Sequence, residues 1–172
     1  VRVTLVFTTT TSPVSQAIRW VTGSRVSHVA IGLSWEDVPV IVEATTGGVK
    51  NSPRVLWAKD HILVAEYTFK PSVVVDLSEA IATIGAAYDY VGLAGYLVVL
   101  LGRRLGRKLK NPLASEKAMV CSEFVLCLNK EKTIPEWKDL DPEATTPEDL
   151  FRICEKAVVD NVVTSSFAVC LP

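Results

Sequence analysis

The chain has 172 residues, 49% of them hydrophobic, with a mean hydropathy of +0.30 and a formal net charge of −1. That length and apolar content suit one domain with a buried core and exclude a disordered chain. The near-zero charge excludes the general attraction to nucleic acid that a strongly basic domain exerts.

Arg2 to Thr8 reads as a strand in which Val3, Leu5 and Phe7 alternate with Arg2, Thr4 and Val6. Ser12-Pro13 then supplies an N-cap and an N1 proline. Val14, Ala17, Ile18 and Val21 follow at helical spacing up to Gly23. Residues 1–20 lack the shape of a secretory signal, so the expected location is cytoplasmic.

Val26 to Leu33 and Val38 to Ala44 are rich in Val and Ile, and read as two strands of a hairpin. A four-residue loop, Ser34 to Asp37, would pair Leu33 with Val38, Ile31 with Val40, Val29 with Val42 and His28 with Glu43. Alternation puts Val29, Ile31, Leu33, Val38, Val40 and Val42 on one apolar face, expected to be buried. The other face carries His28, Ala30, Gly32, Pro39, Ile41 and Glu43. Its two ionisable groups would be cross-strand neighbours, close enough to hydrogen-bond. A one-residue slip would put Glu43 on the core face, which disfavours it.

Thr45 to Gly48 reads as a turn, Val49 as the start of an extended piece, and Trp57 to Asp60 as a short helical turn. His61 to Phe69 reads as a strand, with His61 itself at the surface or strand end. Asp76 is placed to cap a helix, with Glu79 three residues on. Leu77, Ala80, Ile81, Ile84 and Tyr88 mark the face of that helix. The apolar run Val91 to Gly102 would span about 18 Å as a helix, short of the ~30 Å hydrocarbon core of a bilayer. Five cations follow between Arg103 and Lys110. The whole segment reads first as a buried helix with a solvated basic end. A lid or membrane-contacting element is the alternative. Nucleic-acid binding is disfavoured because the basic run lacks interleaved aromatics.

Lys117 to Val120 is an extended approach to a helix from Cys121 to Leu128, with Cys121, Phe124, Val125 and Leu128 on its inward face. Thr146-Pro147-Glu148-Asp149 opens the last helix, and Asn161 to Leu171 reads as a closing strand. The four cysteines are irregularly spaced, with no C-x₂-C pair, so neither a disulfide framework nor a structural zinc site is expected. Cys127, Cys154 and Cys170 read as buried packing thiols.

Cys121 is different, because it stands in the first turn of its helix. A helix N-terminus and a neighbouring imidazolium both lower a thiol's pKa. His28 can supply the imidazolium, and Glu43 can hold that ring in one tautomer. The Cys121 N–H can also face an oxyanion. Cys, His and an orienting carboxylate are the parts of an acyl-transfer site.

Five short stretches carry a resemblance: Ser27-His28-Val29-Ala30-Ile31, Val42-Glu43-Ala44, Tyr88-Asp89-Tyr90, Cys121-Ser122-Glu123-Phe124-Val125 and Thr146-Pro147-Glu148-Asp149-Leu150. In order and spacing the chain resembles the circularly permuted NlpC/P60 group of papain-like thiol hydrolases. That group includes bacterial amidases or peptidases and the lecithin:retinol acyltransferase-like lipid enzymes. The resemblance spans about Arg2 to Ile153. It implies a single α+β domain, with an antiparallel sheet packed against helices that include the Cys-bearing one. It implies Cys121 as nucleophile, His28 as base, Glu43 as third member, and no metal or cofactor. Tyr88 resembles a substrate-contacting tyrosine. Ser122 and Glu123 are either first-turn stabilisers or pocket residues. The chain departs from the group in a longer, greasier insertion between Tyr90 and Cys121.

The expected reaction is hydrolysis of a peptide-like amide through an acyl-enzyme. The alternatives are a lipid-directed acyl hydrolase or transferase, docking through Val91 to Lys110, and a non-catalytic binding module on the same scaffold.

Overall fold

The computed structural model describes residues 1–35, 38–45, 47–85, 95, 98, 101–102, 105–107, 120–129, 134–142, 144–159 and 163–166. Its elements are β1 (Arg2–Thr9), α1 (Pro13–Thr22), β2 (His28–Trp35), β3 (Val38–Thr45), β4 (Gly48–Pro53), α2 (Arg54–Trp57), β5 (Ile62–Phe69), α3 (Ser78–Ala82), α4 (Cys121–Leu126), α5 (Pro147–Val159) and β6 (Val163–Ser166). The strands form one sheet in the order β4-β3-β2-β1-β5-β6, with every neighbouring pair antiparallel. The architecture is α+β.

Each face of the sheet is covered by a different part of the chain. Leu5, Phe7, Val29, Ile31, Val42 and Tyr67 point to one side, where Phe124, Val125 and Leu128 and, from α5, Leu150, Phe151 and Cys154 pack on them. Val6, Ala30 and Ile41 point to the other side and are covered by Trp57. That second cover follows from topology. β4 lies at one edge and β5 lies beyond β1, so the connection through α2 crosses the sheet. Gly32 lies in the same region. A Cβ there would meet Val6 Cγ2 at 3.2 Å, a tight approach that favours glycine unless Val6 gives by a few tenths of an ångström.

The local signals at α1 act as expected. Ser12 caps the helix by accepting from the Ser15 N–H, Pro13 opens it, and Gly23 closes it at φ 65°. The hairpin faces are also as expected, with Val29, Ile31 and Val42 buried, Val40 half-buried and only Val38 exposed. Its register is not. The observed pairs are Trp35 with Val38, Leu33 with Val40 and Ile31 with Val42, two residues away from the expected pairing. Ser34 and Trp35 belong to β2, leaving two residues rather than four between the strands. A two-residue shift keeps every side chain on its face, so the apolar pattern fits both registers equally.

Three other boundaries move. The helical turn expected over residues 57–60 lies at Arg54–Trp57. Asp76 precedes rather than occupies the cap of α3. Its carboxylate accepts from the N–H and hydroxyl of Ser78, at 2.8 and 2.6 Å. α3 ends at Ala82, and Tyr88 lies outside the described residues. So do Cys170, most of residues 91–119, and the ends of the closing strand beyond Val163–Ser166. In the apolar–basic segment, Val98, Leu101 and Leu105 are exposed and Gly95 and Gly102 are buried. Among the described residues, no helix is long and apolar enough to cross a membrane.

Candidate active site

The site forms where the β2–β3 ladder stops. Cross-strand pairing ends at Ile31 with Val42, so the last residues of β3 and the first of β2 part company there. α4 packs on both strands and brings its first residue to that gap. Phe124, Val125 and Leu128 anchor the helix in the core, which fixes where Cys121 sits. Two further bonds hold the first turn. Ser122 Oγ donates to the Thr145 carbonyl at 2.6 Å, and Glu123 accepts from the Val120 N–H at 3.4 Å. Glu123 is therefore a first-turn stabiliser. Ser122 is both a tether and a wall residue of the adjoining cavity.

His28 starts β2 and shares a sheet face with Glu43. Its Nε2 donates to Glu43 Oε2 at 2.8 Å. The register sets Glu43 opposite Ala30 by continuation and opposite Lys50 on the other side, so the imidazole reaches the carboxylate diagonally. Nε2 is thus committed, which leaves Nδ1 as the nitrogen for Cys121. The Cys121 sulfur lies within reach of a side-chain hydrogen bond from His28, and the backbone N–H groups of Val29 and Ser122 also turn to it. The three residues expected from the sequence to act together are brought together.

The electrostatics favour the ion pair. Burial opposes the His28 imidazolium, but the Cys121 thiolate and the Glu43 carboxylate, by charge and hydrogen bond, outweigh it and raise His28 from 6.5 to about 10. Burial likewise pushes the Cys121 thiol up. The His28 charge and hydrogen bond, with the Val29 and Ser122 N–H groups, reverse that and lower it below its ordinary 9.0. Glu43 is fully buried. Burial would raise its carboxyl, but the His28 hydrogen bond and charge, with smaller contributions from Trp57 and His61, bring it down to about 2. Cys154 behaves differently: burial alone raises its thiol, which makes it an inert packing group. Cys127, expected to be buried, is half-exposed, and its thiol donates to the Glu123 carbonyl.

His61, expected at the surface or a strand end, directly precedes β5 but is mostly buried and faces Glu43, a contact that sequence reasoning missed. Its ring stacks on Trp57 with centroids 4.2 Å apart, its Nδ1 donates to the Trp57 carbonyl at 2.9 Å, and its Nε2 lies 3.6 Å from Glu43 Oε2. The signal was indirect. A face of small residues, Ala30 and Gly32, beside a charged pair needs a cover, and His61 ends the segment that must cross it. His28 Nε2, Glu43 and His61 place their donor atoms within 4.8 Å of one another. Lys50 Nζ approaches Glu43 Oε1 at 3.6 Å from the solvent side.

A cavity of about 300 Å³ opens beside the thiol. α1 supplies Val14, Ser15 and Ile18, the end of β3 supplies Ala44 and Thr45, and His28, His61 and Cys121 line its floor. Ser15 and Ser27, 2.6 Å apart, add a buried hydroxyl pair to the wall. A nucleophile, a base, two sulfur-facing N–H groups and a partly apolar cavity are the components of acyl transfer.

No family model matches this sequence, and no curated protein matches it. Among solved structures, the crystal structure of the metalloprotein yiiX from Escherichia coli O157:H7, described as DUF1105, aligns at a TM-score of 0.48 with 16% identity. The alignment covers 95% of this chain and 94% of that one. At that score and identity neither fold nor chemistry passes from it to this chain.

Proposed function

We propose that the chain is a cysteine hydrolase of the permuted papain-like type. It would cleave an amide bond in a peptide-like or cell-wall-peptide-like substrate through an acyl-enzyme. The observation that carries the reading is the line Cys121–His28–Glu43, with a thiol whose environment favours the thiolate. In this scheme the Cys121 sulfur attacks the carbonyl carbon in the cavity. His28 delivers its proton to the leaving amine, then takes one from the water that cleaves the thioester. Glu43 keeps the ring oriented and its charge compensated. The Cys121 N–H, in the first turn of α4, donates in this scheme to the developing oxyanion. A free-thiol nucleophile suits a reducing compartment such as the cytoplasm.

A second reading uses the same residues on a lipid ester or amide. It is favoured by the apolar cavity wall of Val14, Ile18, Ala44 and Val120 and by exposed Val98, Leu101 and Leu105. One experiment separates the two. Purified protein is incubated with a panel of peptide amides and with acyl-chain esters presented in anionic vesicles, while co-sedimentation with the vesicles is followed. Peptide turnover abolished by Cys121→Ala, without vesicle binding, supports the first reading. Ester turnover coupled to vesicle binding supports the second. Acyl-enzyme formation with neither panel, together with an ordinary Cys121 thiol, would leave a binding module and sink both.

A further inference from the structure

His61 turns its ring to the buried Glu43 carboxylate. Its Nδ1 faces a carbonyl oxygen, which only accepts, so Nδ1 carries a proton. Its Nε2 faces Glu43 Oε2 from 3.6 Å, and that oxygen already accepts from His28. A proton on Nε2 or a bound cation between the two atoms satisfies that contact, and the second is open to test. Among the described residues, Oε1 of fully buried Glu43 makes no hydrogen bond of ordinary geometry, although the Trp57 side chain also donates toward the carboxylate. Lys50 Nζ stands 3.6 Å from Oε1 on a half-exposed side chain.

The geometry points to a binding site for one divalent transition-metal ion, zinc-like in preference, held by His28 Nε2, a Glu43 carboxylate oxygen and His61 Nε2. Two imidazoles and one carboxylate are a recurrent donor set for such ions. Zinc at about 2.0–2.2 Å from each ligand needs donors roughly 3.3 Å apart. The present separations of 2.8 Å and 3.6 Å to Glu43 Oε2, with all donors inside 4.8 Å, bracket that value. The support is also in place. The hydrogen bond from His61 Nδ1–H to a backbone carbonyl and its stack on Trp57 fix tautomer and orientation, as outer partners of metal-bound histidines do. Both rings line the cavity, which gives an ion a path and leaves a position for water or substrate.

Binding displaces the His28 Nε2 proton to solvent, and the ring keeps its proton on Nδ1, toward Cys121. His28 then has no lone pair free, so metal occupancy and general-base work at His28 exclude one another. That consequence rests on the hydrolase reading. The binding itself does not, because its ligands are His28, Glu43 and His61 and the sulfur is not among them.

The test therefore uses untagged Cys121→Ser, in which Cys121 thiol chemistry is gone. Zinc is titrated against a chromophoric competitor, and cobalt against visible absorption. One ion per chain is expected, and His61→Gln should weaken binding by at least about tenfold. In the cobalt-loaded wild type, ligand-field bands should appear without thiolate charge transfer. A second readout needs no change at His61. The chain has two histidines, so its imidazole ¹⁵N spectrum holds two rings, and one equivalent of zinc must move both. Loss of binding in Cys121→Ser, an unmoved His61 resonance, or undiminished affinity in folded His61→Gln would overturn the proposal.

Discussion

His28 Nε2 lies 2.8 Å from Glu43 Oε2, although the ladder sets the two residues diagonally rather than face to face. The contact survives a register different from the one the apolar pattern suggests, because the imidazole is long enough to cover the offset. Glu43 is fully buried and held down to about 2, so it stabilises the fold above its ordinary 4.5 and ceases to do so as pH falls toward 2. Glu43→Gln should lose on the order of 3 kcal/mol at pH 7. It should also flatten the acid limb of the stability curve. Urea unfolding at neutral and acidic pH measures both. An equal loss at both ends would mean the carboxylate is not the source.

The Cys121–His28 pair predicts an alkaline loss of stability. His28, raised to about 10, contributes fully below 6.5 and loses its contribution as pH rises through 10. Cys121, lowered from 9.0, contributes above 9.0 and loses its contribution as pH falls through its folded value. Between 9.0 and 10 the folded pair keeps a proton on His28 that the unfolded pair has lost, so stability should fall as pH rises through that range. Urea unfolding across it measures the slope, and a slope unchanged in Cys121→Ser would mean the pair is not ionised.

Ser122 separates structure from chemistry. Its hydroxyl is bonded to the Thr145 carbonyl, while its N–H turns to the sulfur. Ser122→Ala should cost about 1–3 kcal/mol by stranding a buried carbonyl. The alkylation rate of Cys121 should be nearly unchanged. A large drop in thiol reactivity with little change in thermal midpoint would assign the hydroxyl a chemical role instead.

Phe124 tests whether the helix anchor sets the thiol. It is fully buried under the sheet, one turn from Cys121. Phe124→Ala should destabilise by about 3–5 kcal/mol. It should also move the Cys121 titration toward that of an ordinary thiol, as α4 loosens against β2. Thermal melts paired with thiol titration read both effects.

Much of this was legible in the chain, and the limits have physical causes. Ser12-Pro13 and Gly23 delimit α1 because caps are local chemistry. The faces of the β2–β3 ribbon follow from alternation, which fixes parity but not the two-residue register. Cys121 at the first turn of α4 was visible because Phe124, Val125 and Leu128 set the helix phase. His61 was not. It reaches Glu43 through the crossing from β4 to β5, and the order of strands in a sheet is a long-range property that local pattern does not carry. The end of the β2–β3 ladder, which turns the Val29 N–H to the sulfur, is hidden for the same reason.

The central claim is that Cys121 is a thiolate prepared by His28. The direct measurement is the rate of iodoacetamide alkylation of Cys121, followed by mass spectrometry from acid to alkaline pH beside Cys127 and Cys154 in the same molecules. Cys121 should react below the ordinary thiol range, Cys154 should stay unreactive until unfolding, and His28→Ala should return Cys121 to an ordinary profile. A Cys121 profile that rises only near 9.0 and is the same in His28→Ala would contradict the account.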